Sequence, residues 1–214
     1  MINCEVSGEL KMQEVKKGTT TVGIIAKDAV VIAAEQKSTM GYMIDSKVAQ
    51  KIYQLDDHIG MTIAGSVGDA VAMFRLLRAQ LKLYKLERGP ITVKAAATLL
   101  SNILQGNKYY PYMNQFILAG FDSEAHVYSF DPLGGYDVND KYYSTGSGSP
   151  FAYGALENGF KENMTVDEAV ALAVTAIKTA IERDIASGGK GIQVAVIDKN
   201  GFKEMTQQDL KKYL

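Results

Sequence analysis

The sequence predicts an α+β domain with antiparallel sheets inside and helices on the outside. Strand-forming segments come in pairs joined by short turns, which is typical of hairpins rather than of parallel strands linked by helices. The helical segments lie between these groups of strands. The 214 residues contain no internal repeat or linker, and 47% of them are hydrophobic, which indicates one domain with a sizeable core.

Strands are predicted where β-branched residues cluster between turn signals. The apolar run AVVIAA, which follows a tight turn at Lys27 and Asp28, indicates a largely buried strand. The polar segment 35–51 is expected to be a loop with little regular structure. The predicted strands are 20–26, 29–34, 51–55, 59–64, 115–121, 126–131, 141–145, 192–197 and 202–205.

Helices are predicted from apolar residues at helical spacing and from capping residues. Ser149 is expected to be an N-cap, with Pro150 as the first helical residue. Thr165 and Glu168 form a capping box that opens a long alanine-rich helix. The predicted helices are 70–88, 92–106, a segment from 150, 165–187 and a short terminal helix after Thr206.

Composition excludes several classes of function. The net charge is −1 with no basic run, which argues against a nucleic-acid partner, and no apolar run approaches the ~18 residues of a membrane span. The segment 1–17 lacks the apolar stretch of a secretory signal. Cys4 is the sole cysteine, so an intrachain disulfide and a cysteine-based zinc cluster are excluded. His58 and His126 lie at or beside predicted hairpin turns, where histidines are more often exposed than catalytic.

Three consecutive threonines follow Gly18, and two interpretations of them are open. The run can simply be the start of a strand preceded by a polar tail, because threonine and valine pack well on a pleated sheet. Alternatively, the chain is cut between Gly18 and Thr19. A threonine exposed as a new N-terminus carries a hydroxyl nucleophile and an amine base on one residue.

Other candidate site residues have a structural and a functional interpretation. The turn 65–68 is either a close-packed connection between strand and helix or a set of backbone N–H groups that bind an oxyanion. Glu35 and Lys51 are either surface charges at strand ends or a partly buried ion pair near the first strand. Asp184 lies near a helix C-terminus, where a negative charge is unfavourable and calls for a partner.

Four separated motifs together resemble proteasome β subunits of the archaeal type. They are GTTTVG from Gly18, MTIAGSVGDA around Gly65, STGSGSP from Ser144, and RD followed by SGG over 183–189. The resemblance runs from Thr19 to the terminal helix. It implies the N-terminal nucleophile hydrolase fold, a four-layer αββα sandwich of two antiparallel sheets flanked by helices.

The resemblance also implies roles for individual residues. Thr19 corresponds to the nucleophile, with its freed amine as base, and Lys51 to the active-site lysine that pairs with Glu35. Gly65 corresponds to the residue whose backbone N–H forms the oxyanion hole. The residues implied to hold the threonine amine are Ser147, Asp184 and Ser187.

A specificity pocket is implied as well. Its expected lining residues are Ser38, Ala49, Tyr53, Ile63 and Val67, and the last two favour cleavage after bulky apolar residues. Lys37 stands where many family members carry arginine, so the resemblance does not imply a forked hydrogen bond there.

The resemblance predicts that residues 1–18 are a propeptide that is removed and that 19–214 form one catalytic domain. Neither a cofactor nor a metal ion is expected. The implied partners are α subunits and other β subunits in four stacked heptameric rings, a regulatory ATPase ring bound through the α rings, and unfolded polypeptide substrates. A cytoplasmic location is expected. The alternative is an unprocessed, non-catalytic subunit that only builds the ring, and a bacterial two-ring threonine protease is a third, enzymatically similar option.

Overall fold

Two five-stranded antiparallel sheets form the centre of the computed structural model, which describes residues 18–214. The twelve strands are β1 Thr21–Ala26, β2 Ala29–Glu35, β3 Ser38–Met40, β4 Met43–Ser46, β5 Ile52–Asp56, β6 Ile59–Gly65, β7 Asn114–Phe121, β8 Ala125–Phe130, β9 Tyr136–Asn139, β10 Tyr142–Thr145, β11 Ile192–Asp198 and β12 Gly201–Glu204. The helices are α1 Val67–Arg88, α2 Val93–Gly106, α3 Ser149–Gly159, α4 Val166–Arg183 and α5 Gln207–Leu210.

The first sheet has the strand order β10-β1-β2-β11-β12, and the second has the order β5-β6-β7-β8-β9. Side chains from the facing surfaces form one core layer, in which Ile32 and Ile197 of the first sheet join Ile117 of the second. A second core layer lies between the first sheet, α3 and α4, and a third lies between the second sheet, α1 and α2. The predicted αββα sandwich is therefore confirmed. The run AVVIAA is fully buried because it lies between two of these layers.

The segment 35–51 is not the irregular loop that was predicted. It contains the small antiparallel hairpin β3–β4, whose register shifts between Ser38 and Thr39. Strand β9, which pairs with β8 at the edge of the second sheet, was also not predicted. These strands have three or four partly exposed residues each, so they lack the apolar run that marks a buried strand.

Three helix boundaries differ from the prediction. Helix α1 begins at Val67, three residues before the predicted start at 70. The N-cap of α3 is Gly148 rather than Ser149, because the first helical hydrogen bonds run from Phe151 and Ala152 N–H to the carbonyl of Gly148. Helix α4 ends at Arg183 rather than near Ser187. Its C-cap, Asp184, is already extended, which frees the next residues to form a loop.

None of the helices within residues 18–214 has the length and apolar character that crossing a membrane requires. Residues 1–17, which make up most of the predicted propeptide, and Cys4 among them, lie outside the described residues.

Candidate active site

The site lies at the N-terminal end of β1, where the chain enters the first sheet. Strands β1 and β2 are antiparallel with Thr21 opposite Ala34, so the start of β1 lies beside the end of β2. Strand β10 lies on the other side of β1, with Thr145 opposite Thr21. This register places Glu35 on one flank of Thr19 and the turn 146–148 on the other.

Lys51 contacts both Thr19 and Glu35. Its Nζ donates hydrogen bonds to Thr19 Oγ1 at 2.9 Å, to the carbonyl of Lys37 at 2.6 Å and to Glu35 Oε1. Lys51 is 5% exposed and Glu35 is 0% exposed, so this is an ion pair inside the protein and not two surface charges. The Glu35 carboxylate also accepts backbone N–H bonds, which come from Thr20, Lys37 and Gly188.

The electrostatics of Lys51 follow from this burial. Removal from water lowers the pKa of Lys51, and the positive charge of Lys37 acts in the same direction. The carboxylates of Glu35 and Asp184 partly offset this effect. A lysine with a lowered pKa holds a larger neutral fraction near neutral pH, and the neutral amine can accept a proton from a hydroxyl 2.9 Å away.

A second group of side chains holds the backbone nitrogen of Thr19. Thr19 N–H donates to Ser147 Oγ at 3.2 Å, and Ser147 Oγ donates to Asp184 Oδ2 at 2.6 Å. Ser187 Oγ donates to the same carboxylate oxygen at 2.7 Å. Asp184 reaches these hydroxyl groups because the chain leaves helix α4 at this residue. A negative charge at the C-terminal end of a helix is unfavourable, and the two hydroxyl groups that donate to Asp184 are the partners that this position was predicted to need.

Thr19 Oγ1 donates a hydrogen bond of 2.7 Å to the carbonyl oxygen of Gly18, the residue before it. The hydroxyl thus lies next to the carbonyl group that it would attack. Gly18 itself has no room for a side chain, since an added Cβ would lie 1.7 Å from Cβ of Ala186 and 2.8 Å from Oγ of Ser147.

Gly65 ends strand β6 beside Thr19 and borders the cavities on either side of it. Its φ is +137°, which is favourable only for glycine, and an added Cβ would lie 2.2 Å from the carbonyl oxygen of Met113. Only glycine therefore fits between β6 and β7 at this point, and its backbone lies beside Thr19, where the N–H group of an oxyanion-binding residue is needed.

A cavity of about 410 Å³ opens from Thr19. The five residues expected in the specificity pocket all line it: Ser38, Ala49, Tyr53, Ile63 and Val67. Met40, Asp45 and Ser46 line it too, and they were missed because the hairpin β3–β4 was expected to be a loop. Asp45 accepts a hydrogen bond from Ser38 Oγ at 3.1 Å, so the hairpin closes one wall of the cavity.

Sequence reasoning also missed Gln193, whose Oε1 accepts a hydrogen bond of 2.8 Å from Lys51 N–H. A single polar residue inside the apolar strand β11 was an available signal.

Lys37 makes no forked hydrogen bond. Its Nζ donates to the carbonyl oxygens of Ile185 at 2.5 Å and of Ser187 at 3.4 Å, so it connects the segment after β2 to the loop after α4. Within residues 18–214, no group of three or more His, Cys, Asp or Glu residues is arranged to hold a metal ion.

The family model and the relatives that match this chain all have a proteasome description. The family model described as "Proteasome subunit" matches residues 15–197. The chain is 49% identical over 204 residues to "Proteasome subunit beta" of Methanocaldococcus fervens, which covers 94% of this chain and 91% of the relative. "Proteasome subunit beta" of Methanoregula boonei is 48% identical, and the match covers 94% of this chain and 95% of the relative. "Proteasome subunit beta" of Methanosarcina mazei is also 48% identical, and the match covers 91% of this chain and 93% of the relative.

Proposed function

The chain belongs to the proteasome family of threonine endopeptidases and is a β subunit of a multisubunit proteasome complex, and we propose that it is a catalytic subunit with Thr19 as nucleophile. The observation that carries the proposal is the position of Thr19 Oγ1. It lies 2.9 Å from the Nζ of Lys51 and 2.7 Å from the carbonyl oxygen of Gly18. A nucleophile, a base and a scissile bond are thus adjacent.

Self-cleavage of the precursor comes first. The nitrogen of Thr19 is then part of an amide and cannot act as base. The base is Lys51 in its neutral form, which no longer donates to Thr19 and takes the proton from Oγ1 on its lone pair. Oγ1 attacks the carbonyl carbon of Gly18 to give a tetrahedral intermediate. The C–N bond breaks, the proton moves to the Thr19 nitrogen, and Gly18 is left as an ester on Oγ1. Water hydrolyses the ester and releases residues 1–18 with a terminal carboxylate.

Hydrolysis of substrates uses the same hydroxyl. The freed amine of Thr19 now serves as general base, since an α-amine titrates near ~8. Ser147 and Asp184, with Ser187 behind them, hold this amine in place. The backbone N–H of Gly65 stabilises the oxyanion of the tetrahedral intermediate. At this stage Lys51 is protonated and paired with Glu35, and its positive charge favours ionisation of the hydroxyl.

The cavity beside Thr19 binds the side chain that precedes the cleaved bond. Ile63 is buried on the wall of this cavity, and Val67 lies at its opening. An apolar wall of this kind favours bulky apolar residues, because their burial is worth about 1.5–3 kcal/mol per side chain.

The arrangement of the complex is also part of the proposal. We infer four stacked heptameric rings in the order α, β, β, α, in the cytoplasm, with an ATPase ring bound to the outer α rings. Unfolded polypeptides are the substrates. Removal of residues 1–18 leaves 19–214 as the catalytic domain.

The experiment compares particles assembled from α subunits with wild-type chain, Thr19→Ala and Thr98→Ala. Thr98 is exposed on α2 and serves as the matched control. Wild type and Thr98→Ala are expected to lose the leader and to hydrolyse peptides after a bulky apolar residue faster than after an acidic one. Thr19→Ala should retain the leader and hydrolyse neither. Assembled wild-type particles that keep all 214 residues and hydrolyse nothing would support the non-catalytic alternative and contradict the proposal.

A further inference from the structure

We propose that Thr20 is a positioning residue, whose hydroxyl orients the hydrogen bonds that converge on Asp184. The inference rests on the proposed function of Thr19 as nucleophile. Thr20 belongs to the threonine run at the start of β1, but its side chain has no part in the mechanism described above. It is 0% exposed and therefore cannot contact a substrate.

The direction of the hydrogen bond at Thr20 follows from a count of protons. Thr20 Oγ1 lies 2.6 Å from Ser187 Oγ. A hydroxyl group has one hydrogen to donate, and Ser187 donates its hydrogen to Asp184 Oδ2 at 2.7 Å. The hydrogen between the two hydroxyl groups must therefore come from Thr20.

Two hydroxyl chains thus end on one carboxylate oxygen. One runs from Thr19 N–H through Ser147 to Oδ2 of Asp184, and the other runs from the Thr20 hydroxyl through Ser187 to the same atom. Each hydroxyl that accepts a hydrogen bond becomes a stronger donor in turn. Donation from Thr20 therefore strengthens the hydrogen bond from Ser187 to Asp184. This bond fixes the orientation of the Asp184 carboxylate, and thereby the position of Ser147, which holds the Thr19 amine.

The surroundings of Thr20 leave its hydroxyl little freedom. A Cβ added to Gly148 would lie 2.0 Å from Thr20 Oγ1 and 3.1 Å from Ser187 Oγ, so the turn before α3 packs directly on this hydroxyl pair. The backbone N–H of Thr20 donates to Glu35 Oε1 at 3.3 Å. Thr20 consequently connects two groups of the site: its backbone binds Glu35, the partner of Lys51, and its side chain binds Ser187, which contacts Asp184.

Thr21 provides the matched control. It is equally buried at 0% exposure, and its Oγ1 lies 2.9 Å from Thr62 Oγ1 and 2.6 Å from Thr145 Oγ1. Neither partner belongs to the proposed catalytic set. Replacing Thr21 by valine disturbs a buried cluster of three hydroxyl groups, but leaves the hydrogen bonds of Asp184 in place.

The test assembles Thr20→Val, Thr20→Ser and Thr21→Val with α subunits and measures leader removal, kcat and KM for one apolar peptide. We expect Thr20→Val to lower kcat by about 3- to 10-fold, the equivalent of one hydrogen bond, with KM unchanged. Thr20→Ser, which keeps the hydroxyl, should restore kcat, and Thr21→Val should match wild type. If valine at position 20 prevents assembly, Thr20→Ala removes the same hydroxyl without adding bulk.

Equal kcat values for Thr20→Val and Thr21→Val, or a Thr20→Ser variant as slow as Thr20→Val, would overturn the inference. Wild type and Thr19→Ala are run beside these variants. An active Thr19→Ala particle would overturn the proposed function, and the inference with it. An active wild type, an inactive Thr19→Ala and a normal Thr20→Val would overturn the inference alone.

Discussion

Lys51 Nζ lies 2.9 Å from Thr19 Oγ1, and neither residue is more than 6% exposed. The two come from separate elements, since Thr19 precedes β1 and Lys51 precedes β5. Strand β1 belongs to the first sheet and β5 to the second, so the contact joins the two sheets of the sandwich at one end. A reacting group placed there is held by both sheets.

The first prediction concerns Lys51. Lys51→Ala removes the amine next to the nucleophile and leaves Glu35 buried without its cation, so leader removal and peptide turnover should each fall ~10²-fold or more. Lys51→Arg should fail as well, because arginine cannot give up a proton and its planar group does not fit the three acceptors around Nζ.

Lys27→Ala is the control for Lys51, because Lys27 is exposed in the turn between β1 and β2. Ring assembly is checked for each variant before activity is measured. Near-normal turnover by assembled Lys51→Ala particles would remove this lysine from the mechanism. Substantial turnover by Lys51→Arg would show that charge alone is needed.

The second prediction concerns Gly18. Gly18→Ala places a methyl group 1.7 Å from Cβ of Ala186, so the residue must shift and its carbonyl moves away from Thr19 Oγ1. Leader removal should slow markedly. Turnover per processed subunit should stay normal, because the altered residue leaves with the leader. Mass spectrometry gives the processed fraction, and peptide hydrolysis gives the rate.

Two further variants sharpen the test of Gly18. Gly154→Ala is the control, because Gly154 lies in α3 with open space around it. Adding Ala186→Gly to Gly18→Ala removes the closest contact and should restore leader removal in part, since Ser147 Oγ still lies 2.8 Å from the new methyl position. Rapid processing of the single Gly18→Ala variant would show that the observed approach of Gly18 to Ala186 is not needed for cleavage.

The third prediction concerns stability and pH. Asp122 lies between β7 and β8 and accepts hydrogen bonds from Val93 N–H at the start of α2, from Ser123 N–H and from His126 Nε2. Burial alone would raise the pKa of Asp122, but these hydrogen bonds lower it to about 2. A lowered pKa in the folded state stabilises the fold above the ordinary value of 3.8, and this contribution is lost as the pH falls from 3.8 towards about 2.

Asp122→Asn should therefore lower the free energy of unfolding at pH 7 by about 1–2 kcal/mol, after allowance for solvent screening. The variant and wild type should converge as the pH approaches about 2. Urea unfolding between pH 7 and the acid range provides the measurement, with Asp137→Asn on the exposed face of β9 as control. A constant difference between variant and wild type across this range would contradict the assigned pKa.

Much of the fold could be predicted because its hairpins are local. The segments 51–55 and 59–64 are predicted as strands from their own residues and are separated by a short turn, and β5 and β6 indeed pair as an antiparallel hairpin. The hairpin β3–β4 could not be predicted, because strands this short and exposed have no apolar periodicity. Its pairing depends on backbone hydrogen bonds, which any sequence can make.

The site could be predicted only in part from local sequence. Ser147 lies near Thr19 because β10 pairs with β1, and this pairing joins residues more than a hundred positions apart without a turn to signal it. The motif resemblance named Ser147, Asp184 and Ser187 but gave no reason for their proximity. The contact between Thr20 and Ser187 was not predicted, because a threonine at the start of a strand is an ordinary strand residue.

The central claim is that the chain is cleaved between Gly18 and Thr19 to create the catalytic residue. The intact mass of the subunit, taken from active particles assembled with α subunits, tests this most directly. The account predicts a mass that lacks residues 1–18 and an N-terminal sequence that begins with Thr19. A mass corresponding to all 214 residues, in particles that hydrolyse peptides, would contradict it.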